Sequence, residues 1–234
     1  PSNLTGSSRV LIVSSWDNNV YAYSVDYGRI LDTIHGHEDA VSKISISGDI
    51  FMSSSWDSSV KFWKCIPSGF SKVPIMDFSE HQSPIHTCCM DESGTLAISG
   101  AEDGDITVYD LRQKKQICSF TGHTDCITDV CFLGSDSRRI VSCSKDKTIR
   151  LFEINGAEVY SYAPGEIVRC VASDGEVMYS GGDSGTLKMW NVRDGALVDS
   201  KESHPGSSIT CLSFAGDLSS MASGAKDGSF CFYK

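Results

Sequence analysis

No run in the sequence approaches the roughly 18 consecutive apolar residues that a membrane-spanning helix needs. CxxC pairs, GxxxxGK[ST] segments and GxGxxG segments are absent as well, which argues against a zinc knuckle and the familiar phosphate cradles. Positive charge is scarce. Against 20 lysines and arginines stand 30 aspartates and glutamates, a formal charge of −10 over 234 residues, which disfavours a general affinity for phosphate backbones or anionic lipids. Neither nucleic acid nor direct membrane insertion is expected. With no basic and apolar leader ahead of residue 1, the chain is read as cytoplasmic and its ten cysteines as free thiols. Cys88, Cys126, Cys131, Cys143, Cys170, Cys211 and Cys231 fall in alternating apolar stretches, where a thiol acts as a small hydrophobe. Adjacent Cys88 and Cys89 would point to opposite faces of a strand. The Asn3-Leu4-Thr5 sequon is then fortuitous, because glycosylation requires a secretory route.

What is present is a repeat. Six times a small-residue strand leads to a polar turn and then an apolar strand ending in an aromatic: Asp17 to Tyr23, Asp57 to Trp63, Asp103 to Tyr109, Asp146 to Phe152, Ser184 to Trp190 and Asp227 to Tyr233. Successive turn positions lie 40, 46, 43, 38 and 43 residues apart, which brackets the roughly 40 to 45 of a four-stranded propeller blade. A second apolar element recurs in step at Val41/Ile44/Ile46, Ile85/Cys88/Met90, Ile127/Val130/Phe132, Ile167/Cys170/Ala172 and Ile209/Leu212/Phe214, the expected innermost strands. Further β-rich runs such as Ile30 to Ile34, Gln116 to Phe120 and Ala196 to Ser200 supply a fourth strand per unit. Helix-period stretches are lacking, so the fold class is all-β.

His37, His81, His123 and His204 each stand shortly before an inner strand, two of them as Gly-His. With these histidines in place the units resemble WD repeats of β-propellers. Strand alternation brings the loop before the inner strand to the same end as the turn aspartate, and the resemblance implies hydrogen-bonded sets. They are His37, Ser53, Asp57 and Trp63; His81, Ser99, Asp103 and Tyr109; His123, Ser142 and Asp146, with Phe152 unable to donate; and His204, Ser223, Asp227 and Tyr233. The fifth unit has neither histidine nor aspartate and Val13 replaces the serine of the first, so those blades are expected to rely more on apolar packing.

In WD propellers the first strand usually closes the ring beside the last. Lys234 directly follows Tyr233, and residues 1–9 are too few for a closing strand and an inner strand. The expectation is an N-terminally truncated seven-bladed ring over residues 10–234, with a six-bladed ring as the alternative and residues 1–9 as a remnant of an upstream segment.

Chemistry finds little footing. Gly182-Asp183-Ser184-Gly185 has the look of a serine-protease nucleophile run, but it stands in register with five other blade turns. His35 and His37 flank a glycine without a third ligand. No catalytic residue, cofactor or metal is assigned, and a propeller enzyme is the weakest of three readings.

The residue before each turn aspartate should project from the face carrying these turns. In order it is Trp16, Trp56, Glu102, Lys145, Asp183 and Lys226. Two tryptophans on neighbouring blades are suited to anchor a protein partner, with Asn18, Asn19, Glu38 and Asp39 as a polar rim. The alternative is that each ring folds back to shield its own histidine and aspartate.

The segments Ser14-Ser15-Trp16-Asp17-Asn18-Asn19-Val20-Tyr21, Gly36-His37-Glu38-Asp39-Ala40-Val41-Ser42-Lys43-Ile44 and Ser54-Ser55-Trp56-Asp57-Ser58-Ser59-Val60-Lys61 are similar to the propellers of BEACH-domain proteins. The resemblance implies a scaffold with upstream BEACH and pleckstrin-like domains. It also implies binding of proteins or peptide segments, among them the cytoplasmic tail of a tumour necrosis factor receptor, in a route to sphingomyelinase activation carried out by a partner. A generic WD adaptor, of coat or ubiquitin-ligase type, is the second reading.

Overall fold

A computed structural model describes residues 9–66, 69–134, 137–215 and 219–234. Apart from Arg9, the expected upstream remnant and the Asn3 sequon lie outside these residues. The described chain is strand and turn without helix, arranged as six antiparallel sheets that follow one another in sequence as the blades of a β-propeller.

Contacts divide the chain into two compact units. The first, residues 1–102 and 106–117, begins with a three-stranded sheet of β1 (Val10–Ser14), β2 (Asn19–Ser24) and β3 (Arg29–His35). The second sheet runs β4 (Val41–Ser47), β5 (Ile50–Ser55) and β6 (Val60–Ile66), followed by β7 (Gly69–Phe70) and β8 (Met76–Phe78), both paired to β6. The outer strand of this blade is the short β8, because β7 and its flanks are an insertion. That insertion is anchored: the Phe70 amide donates to Asp32 at 3.0 Å, Lys72 ion-pairs with the same carboxylate, and the Phe70 ring lies 5.1 Å from Phe51. The third sheet is built from β9 (Ile85–Met90), β10 (Leu96–Ala101), β11 (Asp105–Asp110) and β12 (Lys115–Thr121).

The second unit, residues 103–105 and 118–234, holds two complete sheets. They are β13 (Ile127–Phe132), β14 (Arg139–Ser144), β15 (Ile149–Glu153) and β16 (Glu158–Tyr162), then β17 (Val168–Ser173), β18 (Val177–Gly182), β19 (Thr186–Asn191) and β20 (Leu197–Glu202). A three-stranded sheet of β21 (Ile209–Phe214), β22 (Met221–Ala225) and β23 (Phe230–Tyr233) ends the chain.

Alternation along each strand packs one sheet against the next. Val20, Ala22, Ile34, Val41, Phe51, Trp63 and Phe70 form one cluster in the first unit, and Val141, Leu151, Val168, Val171, Met178 and Trp190 belong to another in the second. A fully buried side chain of this size contributes about 1.5–3 kcal/mol. Val13 departs from the apolar expectation, since it stays 45% exposed.

Each inner strand breaks its alternation with a β-bulge. Pairing skips one residue between Val41 and Lys43, Ile127 and Asp129, Val168 and Cys170, and Ile209 and Cys211, and shifts likewise opposite Gly100 and Ala101. The extra residue explains why apolar positions recur at offsets of three and five rather than two and four. It also corrects the fifth unit. The register there equates Val168 and Val171 with Val41 and Ile44, so its inner strand begins one residue later than Ile167.

Among the expected thiol hydrophobes, Cys88, Cys126, Cys143 and Cys170 are buried, Cys131 and Cys231 are half-buried, and Cys211 is exposed.

Candidate functional site

The turns that build the candidate face share one design. The residue after the turn position takes a left-handed backbone in all six units: Asn18, Ser58, Gly104, Lys147, Gly185 and Gly228. The aspartate side chain closes the turn by accepting the amide two residues on, at Asn19, Ser59, Asp105, Thr148 and Ser229. At Gly104 and Gly185 glycine is obligatory twice over, because a Cβ would fall 2.2 Å from the His123 carbonyl oxygen and 2.0 Å from that of His204.

The second blade holds the full polar set. The Trp63 indole donates to Ser53 Oγ at 2.8 Å, and Ser53 Oγ meets His37 Nε2 at 2.7 Å. His37 Nδ1 in turn lies 2.9 Å from Asp57, so the indole, the serine, the imidazole and the carboxylate form one continuous chain. Burial pushes the Asp57 carboxyl up, but hydrogen bonds from His37, Ser59 and the Glu38 amide outweigh it and hold the group well below the usual range. Gly36 precedes His37 for a steric reason: a Cβ there would sit 2.3 Å from the Trp63 ring.

The third blade joins His81 to Ser99 at 2.7 Å and Ser99 to the Tyr109 hydroxyl at 3.0 Å; burial raises the Tyr109 phenol. In the fourth, His123 bridges Asp146 at 2.8 Å and Ser142 at 2.7 Å. Burial pushes the His123 imidazole below its usual value despite Asp146. In the sixth, Ser223 links His204 and Tyr233 as expected, but the direct contact of His204 with Asp227 is replaced. Ser229 stands between them, 2.7 Å from His204 Nδ1 and 2.7 Å from Asp227 Oδ1.

Ser59, Thr148 and Ser229 are thus members of the network that the sequence reading missed. Each is a hydroxyl residue two positions after a turn aspartate. The fifth blade adds polar ties of its own to its apolar packing. Trp190 donates to Ser180 at 2.8 Å, while Glu166 accepts from the Ser184 hydroxyl at 2.9 Å and ion-pairs with Lys188 at 2.6 Å. Burial raises the Glu166 carboxyl, but Lys188 and Ser184 bring it below the ordinary range. This arrangement fixes Ser184 as a turn anchor.

His35 Nδ1 lies 2.5 Å from Asn19 Oδ1, so both histidines flanking Gly36 have side-chain partners. No group of three potential metal ligands occurs among the described residues.

Above the polar sets, the residue just before the turn position, its slot, is tethered alike in the second to sixth blades. The Trp56 amide donates to the Ala40 carbonyl, and Glu102, Lys145, Asp183 and Lys226 donate to Pro84, Cys126, Ile167 and Ser208. Trp16 is 78% and Trp56 37% exposed, and their rings lie 5.7 Å apart at 42°. Trp56 in turn meets His86 edge-on at 5.8 Å. An aromatic ladder therefore crosses three successive blades of the first unit. Glu38 and Asp39 flank it, exposed. Asn18 and Asn19 are turned inward to the loops, donating to the Glu38 and Asp17 carbonyls at 3.0 Å each.

A family model, WD domain, G-beta repeat, matches residues 28–64, 72–110, 114–153, 157–191 and 195–234. The chain is 23% identical to autophagy-related protein 16 of Arabidopsis thaliana over 97% of its length and 46% of that relative's. It is 23% identical to BEACH domain-containing protein B of Arabidopsis thaliana, over 94% of this chain and 9% of that protein. With the periodic tryptophan protein 2 homolog of Schizosaccharomyces pombe it shares 30% identity over 82% and 20%. The chain thus spans less than half the length of each of these three relatives. Among solved structures it is similar to the computationally designed Ika8 protein, at TM-score 0.78 and 25% identity over 97% of this chain and 68% of that one. Repeat spacing, sheet order, polar sets and the match over most of the chain agree, and the protein belongs to the WD domain, G-beta repeat family.

Proposed function

We propose that this propeller is the protein-binding module of a longer BEACH-type adaptor and that it works by docking rather than by catalysis. The observation that carries the reading is the ladder of Trp16, Trp56 and His86. Buried indoles complete the blades at Trp63 and Trp190, whereas Trp16 keeps most of its surface in water, where a large aromatic gives a partner much area at little entropic cost. Its ring packs against Trp56, 5.7 Å away on the next blade, and this pairing favours display.

The BEACH assignment draws on residues 11–63 and on the likeness to BEACH domain-containing protein B. In that reading, BEACH and pleckstrin-like domains belong to the same parent chain. The partner is a protein segment such as a tumour necrosis factor receptor tail, and sphingomyelinase activation is the downstream effect. The cytoplasm is the compartment such a role requires, and the charge of −10 fits a protein partner better than nucleic acid. The likeness to autophagy-related protein 16 over 97% of the chain favours a second reading, a WD adaptor outside the BEACH group.

The test is Trp16→Ala with Trp56→Ala in the full parent chain. Capture of a receptor-tail peptide should fall by about tenfold or more, roughly 1.4 kcal/mol, with thermal unfolding unchanged. Undiminished capture by the folded variant overturns the reading.

A further inference from the structure

The proposed docking surface is aromatic and, along the loops that carry it, charged with one sign. The stretches 12–19, 35–42, 55–59, 79–84 and 101–102 contain no lysine or arginine. They do contain Asp17, Glu38, Asp39 and Glu102, all exposed. Glu102 fills in the third blade the slot that Trp56 fills in the second, its amide donating to Pro84 at 2.9 Å as Trp56 donates to Ala40 at 3.0 Å. The order of slots across this unit is therefore indole, indole, carboxylate. The nearby cations of the unit are engaged elsewhere, Lys43 with Thr87 at 3.2 Å and Lys61 with Asp77 at 2.7 Å.

An indole face flanked by carboxylates repels anionic segments and gives a neutral apolar segment no use for the acids. A planar cation uses both, because a guanidinium stacks on the ring while its fork of N–H groups reaches a carboxylate. Resting on the docking role proposed above, we infer that the Trp16–Trp56 surface takes an arginine-bearing basic peptide segment of a partner protein. The arginine lies on the open side of Trp16, the side away from Trp56, and flanking cations face Glu38, Asp39 and Glu102. The ligand class is a solvent-exposed basic peptide, with electrostatic steering speeding its approach.

The experiment measures fluorescence anisotropy of short labelled glycine-serine peptides carrying paired arginines, lysines, citrullines or glutamates at their centre, titrated with the full chain. Citrulline keeps the planar shape of arginine and removes its charge. The arginine peptide should bind tightest, the citrulline peptide about tenfold weaker, and the glutamate peptide not at all. The triple variant Glu38→Gln, Asp39→Asn, Glu102→Gln should lose about tenfold for arginine and flatten the salt dependence; it leaves the turn aspartates and the histidine sets intact. Equal binding of arginine and citrulline, or no binding of any cationic peptide, overturns the inference. If either occurs while the double-tryptophan variant still loses receptor-tail capture, the docking surface stands and only its basic ligand class is withdrawn. If arginine peptides bind the double-tryptophan variant as well as the parent, the inference is withdrawn, and if that variant also captures the receptor tail undiminished, the docking role falls with it.

Discussion

The second and fifth blades share a backbone plan and solve the same problem with different chemistry. Both join an indole to a serine on the neighbouring strand, Trp63 to Ser53 and Trp190 to Ser180, each at 2.8 Å. Beyond the serine they part. The second blade continues inward-facing groups, an imidazole and a carboxylate whose side chains are 1% and 10% exposed. The fifth uses an amine and a carboxylate at 18% and 15% exposure. Both blades thus tie their turn to the preceding loop, and they do it with different sets of side chains. What differs is how much is lost when the tie is cut.

The largest effect should come from Asp57→Ala, which leaves His37 Nδ1, the Ser59 hydroxyl and the Glu38 amide without their common acceptor. It is expected to cost about 3 kcal/mol, against about 1 kcal/mol or less for Ser184→Ala in the fifth blade. Urea unfolding of the two variants checks this, and equal losses would erase the contrast between the blades.

Next in size is the coupling of Glu166 with Lys188. A double-mutant cycle with Glu166→Gln and Lys188→Met should return about 1 kcal/mol, most of it recovered in the double variant. A coupling near zero makes the ion pair incidental.

Acid should separate the two chemistries. His123, in the fourth blade, has its folded pKa pushed down by burial, so the unfolded chain protonates first. The stability it supplies is complete above the ordinary histidine value of about 6.5 and falls as pH drops below it. Glu166 is also depressed when folded, but its unfolded reference is a carboxylate near 4.3, so its contribution survives until lower pH. Hydrogen exchange between about pH 6.5 and 5 should then quicken in β13 to β15 before β17 to β19. The reverse order contradicts the assignment. The smallest effect belongs to Trp16→Ala, which should shift stability by less than about 0.5 kcal/mol.

The fold was legible because a repeat states its plan several times over. Turn aspartates, inner-strand apolar residues and histidines recur in step, and the six sheets follow that order. What escaped reading was local exception. Glu166 lies two residues before its inner strand at Val168, whereas His37, His81 and His123 lie four before theirs, so comparison of copies at one position found a gap. The β7 insertion occurs once and has no second copy to reveal it. The bulge displaced the fifth inner strand by a residue because Ile167 and Val168 are both apolar, and periodicity alone does not choose between them. At the candidate face, the exposure of Trp16 was legible from its slot. The contacts among Trp16, Trp56 and His86 were not, because they join residues of three different repeats.

The bulge also changes how a chain of such units can grow. The residue it sets aside, Ser42 in the second blade and Thr128 in the fourth, donates its hydroxyl across to the carbonyl of the next blade's first inner residue, Ile85 at 2.7 Å and Val168 at 2.6 Å. The acceptor is main chain, which every repeat supplies whatever its sequence. A unit with this hydroxyl brings its own clasp and asks nothing particular of its neighbour. Gene duplication could therefore add or remove whole blades without matched substitutions on both sides of a new junction, and the side chains facing a partner are left free to diverge.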